Sequence, residues 1–313
     1  MALDFGFARK GKGTLVPFSD RLADAILQRK NPVVVGLDPR LGQLPEAIFP
    51  GEDADFPTQS KAYALFCKEI IDVVSGRVPA VKPQMAFFEA LGPCGLQALA
   101  EVIAYARQRD LLVILDGKRN DIGSTATAYA EAYLGADSPW GADALTVSPY
   151  LGDDSLTPFV EAGLSKDAGI FVLVKTSNPG GKTFQDQLID GQPLYRHVAQ
   201  LVETLATETQ GTHGYGAVGA VVGATYPEQL VELRAAMPHS WFLVPGFGAQ
   251  GGTAESVRHA MDERGLGAII NSSRGIIFAH ARPEYESLAS SSWLAAVEQA
   301  TRDMIDQLAV PVR

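Results

Sequence analysis

The sequence predicts an α/β fold of the (β/α)8 class, a single TIM barrel. Eight short runs rich in Val, Ile, Leu, Ala and Phe recur along the chain. They are continuous rather than alternating, as parallel strands covered on both faces require. Helical patterns separate them, and eight strand–helix units in about 240 residues match the usual barrel of ~250.

In order, the strand runs are 33–37 (VVVGL), 79–82 (PAVK), 111–115 (LLVIL), 143–147 (DALTV), 170–174 (IFVLV), 217–222 (AVGAVV), 242–245 (FLVP) and 268–271 (AIIN). Helical patterns cover Tyr63 to Val74, Leu96 to Arg107, Leu194 to Ala206, Pro227 to Ala236 and Ala254 to Glu263. A doubly wound open sheet is the alternative architecture. With no linker, low-complexity tract or strong repeat, one domain is expected over 1–313. Its parts are an N-terminal arm and helix (1–31), the barrel (32–290) and a C-terminal helix (291–313). Residues 38–58 and 176–193 are too long for tight turns. The second (TSNPGGKTFQDQLIDGQP) follows the fifth strand, where barrel loops carry function, so it is a candidate lid. A structureless surface excursion is the other reading.

The 313 residues are 46% apolar and 20% charged, enough for a large core. No apolar run reaches the ~20 residues of a membrane span. Residues 1–19 lack the apolar stretch of a secretory signal. Cys67 and Cys94, both in apolar helical contexts, suit a reducing compartment, so a cytoplasmic location is expected. A net charge of −10 without a Lys/Arg run argues against nucleic acid as a partner. A phosphorylated ligand would have to be held by a few local cations and oriented N–H groups.

Charge gathers at strand ends. Asp116 and Lys118 follow the third run (DGKRNDIG); two apart, they point to one side if the backbone is extended. A helix-capping Asp116 beside a solvated Lys118 would explain that pair equally well. Lys82 ends the second run, Asp38 the first and Lys175 the fifth, and several strands delivering charge to one rim is the layout of a barrel active site. Two lysines crowded with two aspartates can all stay ionised, since each charge is stabilised by unlike neighbours.

Pro245–Gly252 (PGFGAQGG) follows the seventh run and contains G-x-G-x-x-G at Gly246, Gly248 and Gly251. A dinucleotide fingerprint opens the first βαβ unit instead, whereas loops after barrel strands seven and eight are a recurrent phosphate site. Asn271-Ser272-Ser273-Arg274-Gly275 adds a guanidinium suited to bidentate phosphate contacts. Tight turns with one exposed arginine are the plain alternative. His197, His213, His239, His259 and His280 show no metal-ligand spacing, and no serine elbow or CxxC occurs. Neither a metal nor another cofactor is expected.

Together these segments resemble the orotidine 5′-phosphate decarboxylase family, most closely its longer bacterial branch in length and in the KPQ and DGKRNDIG wording. Its Asp-x-Lys-x-x-Asp stretch is met by Asp116, Lys118 and Asp121, its strand-two lysine by Lys82 and its strand-one aspartate by Asp38. Its base-contacting segment is similar to Ser177–Gly180, its phosphate loop to Pro245–Gln250 and its strand-eight arginine to Arg274, beside Ser273. A tyrosine that helps hold phosphate in some relatives has no assured counterpart.

The resemblance implies cofactor-free loss of CO₂ from C6 of orotidine 5′-phosphate, giving UMP. With no covalent electron sink, a barrier reduction near the top of the usual range of about 8–23 kcal/mol must come from preorganised charge and remote phosphate binding. Lys118 would stabilise the C6 carbanion and protonate it. Asp116 and Asp121 would hold the lysines near the departing carboxylate, and Asp38 and Lys82 would bind ribose hydroxyls. It also implies a homodimer in which Asp121, Ile122 and Thr125 enter the opposite subunit's site. Three alternatives stand beside it. A Mg²⁺-dependent sugar-phosphate decarboxylase or aldolase of the same barrel needs a carboxylate where Lys82 stands. The others are a Schiff-base aldolase using Lys175 and an inactive phosphate-binding barrel.

Overall fold

The computed structural model describes residues 16–49, 51, 54–248 and 252–309. Eight parallel strands close into a barrel: β1 (Val33–Leu37), β2 (Ala80–Pro83), β3 (Leu112–Arg119), β4 (Ala144–Val147), β5 (Gly169–Lys175), β8 (Val218–Val222), β9 (Phe242–Pro245) and β10 (Ala268–Ser272). Between β5 and β8 lies a small antiparallel ribbon, β6 (Leu188–Ile189) with β7 (Gln192–Pro193). Register runs unbroken from β1 to β10, with Val33 opposite Ile270 and Val35 opposite Ser272, so the sheet has no open edge there. The expected barrel is present, and the open doubly wound sheet is excluded by that closure.

Pleating explains the continuous apolar runs. Val33, Val35, Val81, Val113, Leu145, Val172 and Ile270 pack outward against the helices, while Val34, Ala80, Ile114, Ala144, Phe171, Leu243 and Ile269 fill the lumen. Both sets are buried, so neither face needs polar residues.

The helix Phe18–Arg29 closes the base of the barrel. Phe18, Leu22, Ala23 and Ile26 share one face and join the lumen cluster with Val34, Ala144 and Trp241. Phe18 lies edge-on to Phe171 at 6.1 Å, and a Cβ on Gly169 would come within 2.3 Å of the Phe18 ring. Polar ties fix this plug: Asp20 accepts from the Thr212 and His213 amides, and Arg21 pairs with Asp143. At the other end of the chain, Trp293–Leu308 packs on Phe56–Val74, with Trp293 stacked on Phe66 at 5.4 Å.

Two elements differ from expectation. The helix expected over Ala254 to Glu263 stops at Arg258: the Ala260 and Met261 amides bond three residues back to Val257 and Arg258, and the Asp262 carboxylate then accepts from the Arg264 and Leu266 amides and turns the chain. The 176–193 segment is not structureless. It contains a 3₁₀ turn (Pro179–Gly181), one helical turn (Lys182–Gln185) and the β6–β7 ribbon.

Candidate active site

All eight strands deliver their C-terminal ends to one rim, and the charge cluster assembles there. Lys82 Nζ donates to Asp116 Oδ2 at 2.7 Å, and Lys118 Nζ donates to Asp116 Oδ1 at 2.6 Å. Gln84 Nε2 donates to Oδ2 and Thr146 Oγ1 to Oδ1, each at 2.9 Å. The carboxylate therefore accepts from four donors, two of them cationic. Lys82 is only 5% exposed and Asp116 7%, whereas the Lys118 side chain is 48% exposed. The buried pair is shielded from water, and the third charge is half exposed.

Burial by itself would raise the Asp116 pKa. The Lys82 and Lys118 ammoniums more than reverse that and hold the carboxyl well below its ordinary range. Burial would likewise lower the Lys82 pKa, but the Asp116 and Asp38 carboxylates outweigh it and push the lysine up. Each charge keeps its neighbour ionised.

The convergence of Asp116 and Lys118 is not the work of strand alternation. The β3–β4 register pairs Leu115 with Leu145 and then Arg119 with Val147, so Asp116, Gly117 and Lys118 all lie opposite Thr146. Lys118 sits at φ +44°, in the left-handed region, which turns its side chain back to Asp116. The expected pair is present, and a bulge makes it.

Asp38, after β1, and Asn271, in β10, each carry an enclosed Oδ1 that finds no hydrogen-bond partner among the described residues. With Lys82, Asp116, Pro245 and Arg274 they line a cavity of about 200 Å³. Buried acceptors left open beside a cavity suit a ligand carrying hydroxyl or amide donors. A wider groove of about 710 Å³ separates the helices Leu194–Glu208 and Pro227–Ala236 outside the barrel. Glu203, Glu208 and Glu232 line it beside a single arginine, Arg196, and this acidic balance disfavours an anionic ligand, so the smaller rim cavity is the candidate site.

Pro245 ends β9, and Gly246 and Gly248 follow at φ +97° and +70°, values that side-chain-bearing residues rarely adopt. Gln250 and Gly251 lie outside the described residues. Ser273 and Arg274 follow β10, and Arg274 is exposed, its side chain making no hydrogen bond or ion pair among the described residues. Gly36 makes this approach possible, since a Cβ there would fall 1.9 Å from Ser273 Oγ.

Lys175 is buried, ion-paired with Asp186, and lies 5.2 Å from the Tyr195 ring centre and 5.8 Å from that of Tyr226. A paired ammonium inside an aromatic cage is a poor carbonyl nucleophile, which counts against the Schiff-base reading. Ser177 lies half-buried, its backbone pressed near Gly223. Asp121 is not joined to the cluster within the chain: its carboxylate accepts from the Ile122 amide at 2.8 Å. Ile122 and Thr125 beside it are exposed, Ile122 by 56%. His213 pairs with Asp24 and His239 with Glu203, both apart from the cluster.

The sequence profile of the orotidine 5′-phosphate decarboxylase / HUMPS family matches residues 33–288, the whole barrel from β1 past β10. The chain belongs to this family. It is 59% identical to the orotidine 5′-phosphate decarboxylase of Rhodopirellula baltica, over 94% of this chain and 99% of that protein. It is 46% identical to that of Haloarcula marismortui, over 84% and 87%. The solved structure of Leishmania donovani OMP decarboxylase superposes with a TM-score of 0.72 at 33% identity, covering 94% of this chain and 97% of that one. Within the family frame, Gln84, Thr146 and Asn271 are the site residues that sequence reasoning did not single out. Gln84 had a readable signal, since it stands two residues beyond Lys82.

Proposed function

We propose that this chain decarboxylates orotidine 5′-phosphate to UMP and CO₂ through the Lys82–Asp116–Lys118 network, without a metal. As a member of the family it is a carboxy-lyase of pyrimidine nucleotide biosynthesis. One observation carries the mechanistic reading. The end of β2, where a Mg²⁺-dependent relative needs a carboxylate ligand, holds a buried ammonium locked to Asp116.

As the C6–carboxylate bond breaks, its electron pair stays on C6. The Lys118 ammonium, held 2.6 Å from Asp116, stabilises that pair and gives it a proton, then regains one from water. Asp38 accepts from a ribose hydroxyl through its open oxygen, and Ser177 contacts the base. Pro245 to Gly251 and Ser273–Arg274 hold the phosphate, whose binding energy steadies the reacting end. A chromatographic assay tests the reading: the purified protein should convert the phosphorylated substrate to UMP. Recovery of unchanged substrate would refute it.

Arg274→Ala should raise KM and lower kcat/KM by about a hundredfold or more, because a charged phosphate contact is lost. Turnover of the unphosphorylated nucleoside should barely change. Equal handling of the phosphorylated substrate by both proteins would place the phosphate elsewhere.

The functional unit is a two-fold dimer, with Asp121, Ile122 and Thr125 reaching into the opposite site. The exposure of these side chains and the absence of Asp121 from its own chain's cluster support this. Mixing inactive Lys118→Ala and Asp121→Ala subunits should restore about a quarter of wild-type activity, since half the random dimers carry one intact site. No recovery after proven subunit exchange would assign Asp121 to its own chain. The 1–313 chain acts as one domain, the plug helix included. Its two thiols are free, which supports a cytoplasmic location, and none of the helices among the described residues is long and apolar enough to cross a membrane.

A further inference from the structure

The β3 bulge leaves Lys118 outside the regular strand ladder. Three residues, Asp116, Gly117 and Lys118, stand opposite Thr146, so the strand register gives Lys118 no β4 partner of its own. The Thr146 hydroxyl takes that place. It accepts from the Lys118 backbone N–H at 2.9 Å and donates its own proton to Asp116 Oδ1 at 2.9 Å. Lys118 Nζ closes a ring by donating to the same Oδ1 at 2.6 Å. Thr146 is 1% exposed and is the one polar residue of β4, in the run Ala-Leu-Thr-Val.

We infer that Thr146 is a positioning residue for the decarboxylation, its hydroxyl holding the Lys118 backbone in its left-handed turn and the Asp116 carboxylate in register with it. Both ends of Lys118 are thereby tied to one oxygen, the amide through the hydroxyl and the ammonium directly. A buried Val would remove the hydroxyl that accepts from the Lys118 N–H and leave the half-exposed Lys118 ammonium as the one remaining donor to Asp116 Oδ1 among the described residues. Thr146 is not part of the lining of the rim cavity, which includes Arg274, Pro245 and Ser273. Its loss therefore acts on turnover and not on phosphate binding. The inference rests on the decarboxylase reading, and wild-type turnover of orotidine 5′-phosphate, measured first, tests that reading separately.

The experiment compares Thr146→Val, Thr146→Ala and Thr146→Ser for kcat, KM and thermal midpoint. Losing one hydrogen bond to a charged group should lower kcat of the Val and Ala variants by about 10- to 100-fold. KM should stay within about threefold of wild type, because uniform binding is untouched. Thr146→Ser, which keeps the hydroxyl, should recover kcat to within about threefold. If Thr146→Val does not fold, the Ala–Ser pair isolates the hydroxyl by itself. A kcat within twofold of wild type in the hydroxyl-free variants would overturn the inference. So would a loss that Ser does not restore, or a rise in KM matching the fall in kcat, since either describes a merely structural threonine.

Discussion

Lys118→Ala should abolish measurable turnover while leaving the fold intact. The lysine combines a general-acid contribution of about 10²–10⁴ with charge stabilisation of about 10²–10³. The expected fall in kcat is therefore at least ~10⁴-fold. Its side chain is half exposed and its left-handed backbone is tied by Thr146, so removal opens no core cavity. Steady-state kinetics and a thermal melt together check this. A variant keeping a tenth of wild-type kcat would mean that another group protonates C6.

Asp116→Asn should damage both activity and stability. The substitution keeps the shape but replaces one acceptor oxygen with a donor, facing Lys82, Lys118, Gln84 or Thr146. Lys82 is then a buried cation without its ion-pair partner, and breaking such a pair costs about 3–5 kcal/mol. Turnover should fall by at least about 10²-fold as Lys118 loses its anchor.

The pH dependence of that stability loss is fixed in sign. Asp116 is held below its ordinary 3.8, so its contribution is complete above that value and is lost as pH falls through the lower folded-state value. Lys82 is held above 10.5, so its contribution is complete below that value and is lost as pH rises through the higher one. Urea midpoints of wild type and Asp116→Asn should thus differ by a constant amount around neutrality, narrowing in stronger acid as Asp116 is protonated and in stronger base as Lys82 is neutralised. A difference that varied steeply near neutrality would show that the pair is not ionised as described.

The barrel and its rim were legible because a closed parallel sheet imposes simple rules on sequence. Both faces of every strand are covered, so Val33–Leu37 and Ile269–Ile270 read as unbroken apolar runs. All strand ends share one rim, so Asp38, Lys82, Asp116 and Arg274 could be grouped without knowing a distance. What escaped depends on backbone detail or on pairing between distant segments. The Asp116–Lys118 bulge leaves no trace in residue pattern, and alternation led to the right pair by the wrong geometry. Thr146 looked like one polar residue in a buried strand, because its two partners lie 28 and 30 residues away. The β6–β7 ribbon joins only two residues per strand, too few for an alternating pattern to register. The plug helix was visible as a helix, but its seat in the lumen is a long-range contact between Phe18 and Phe171.

In the proposed mechanism fixed lysine and aspartate charges, helped by phosphate binding and without a metal, carry the decarboxylation. The most direct measurement follows orotidine 5′-phosphate by ultraviolet absorbance with the purified protein, before and after exhaustive treatment with EDTA. Unchanged kcat and KM in the chelator are expected, because Lys82 occupies the position a metal-binding carboxylate would need and Asp116 is already held by four donors. Activity that disappears with EDTA and returns with Mg²⁺ would contradict the account.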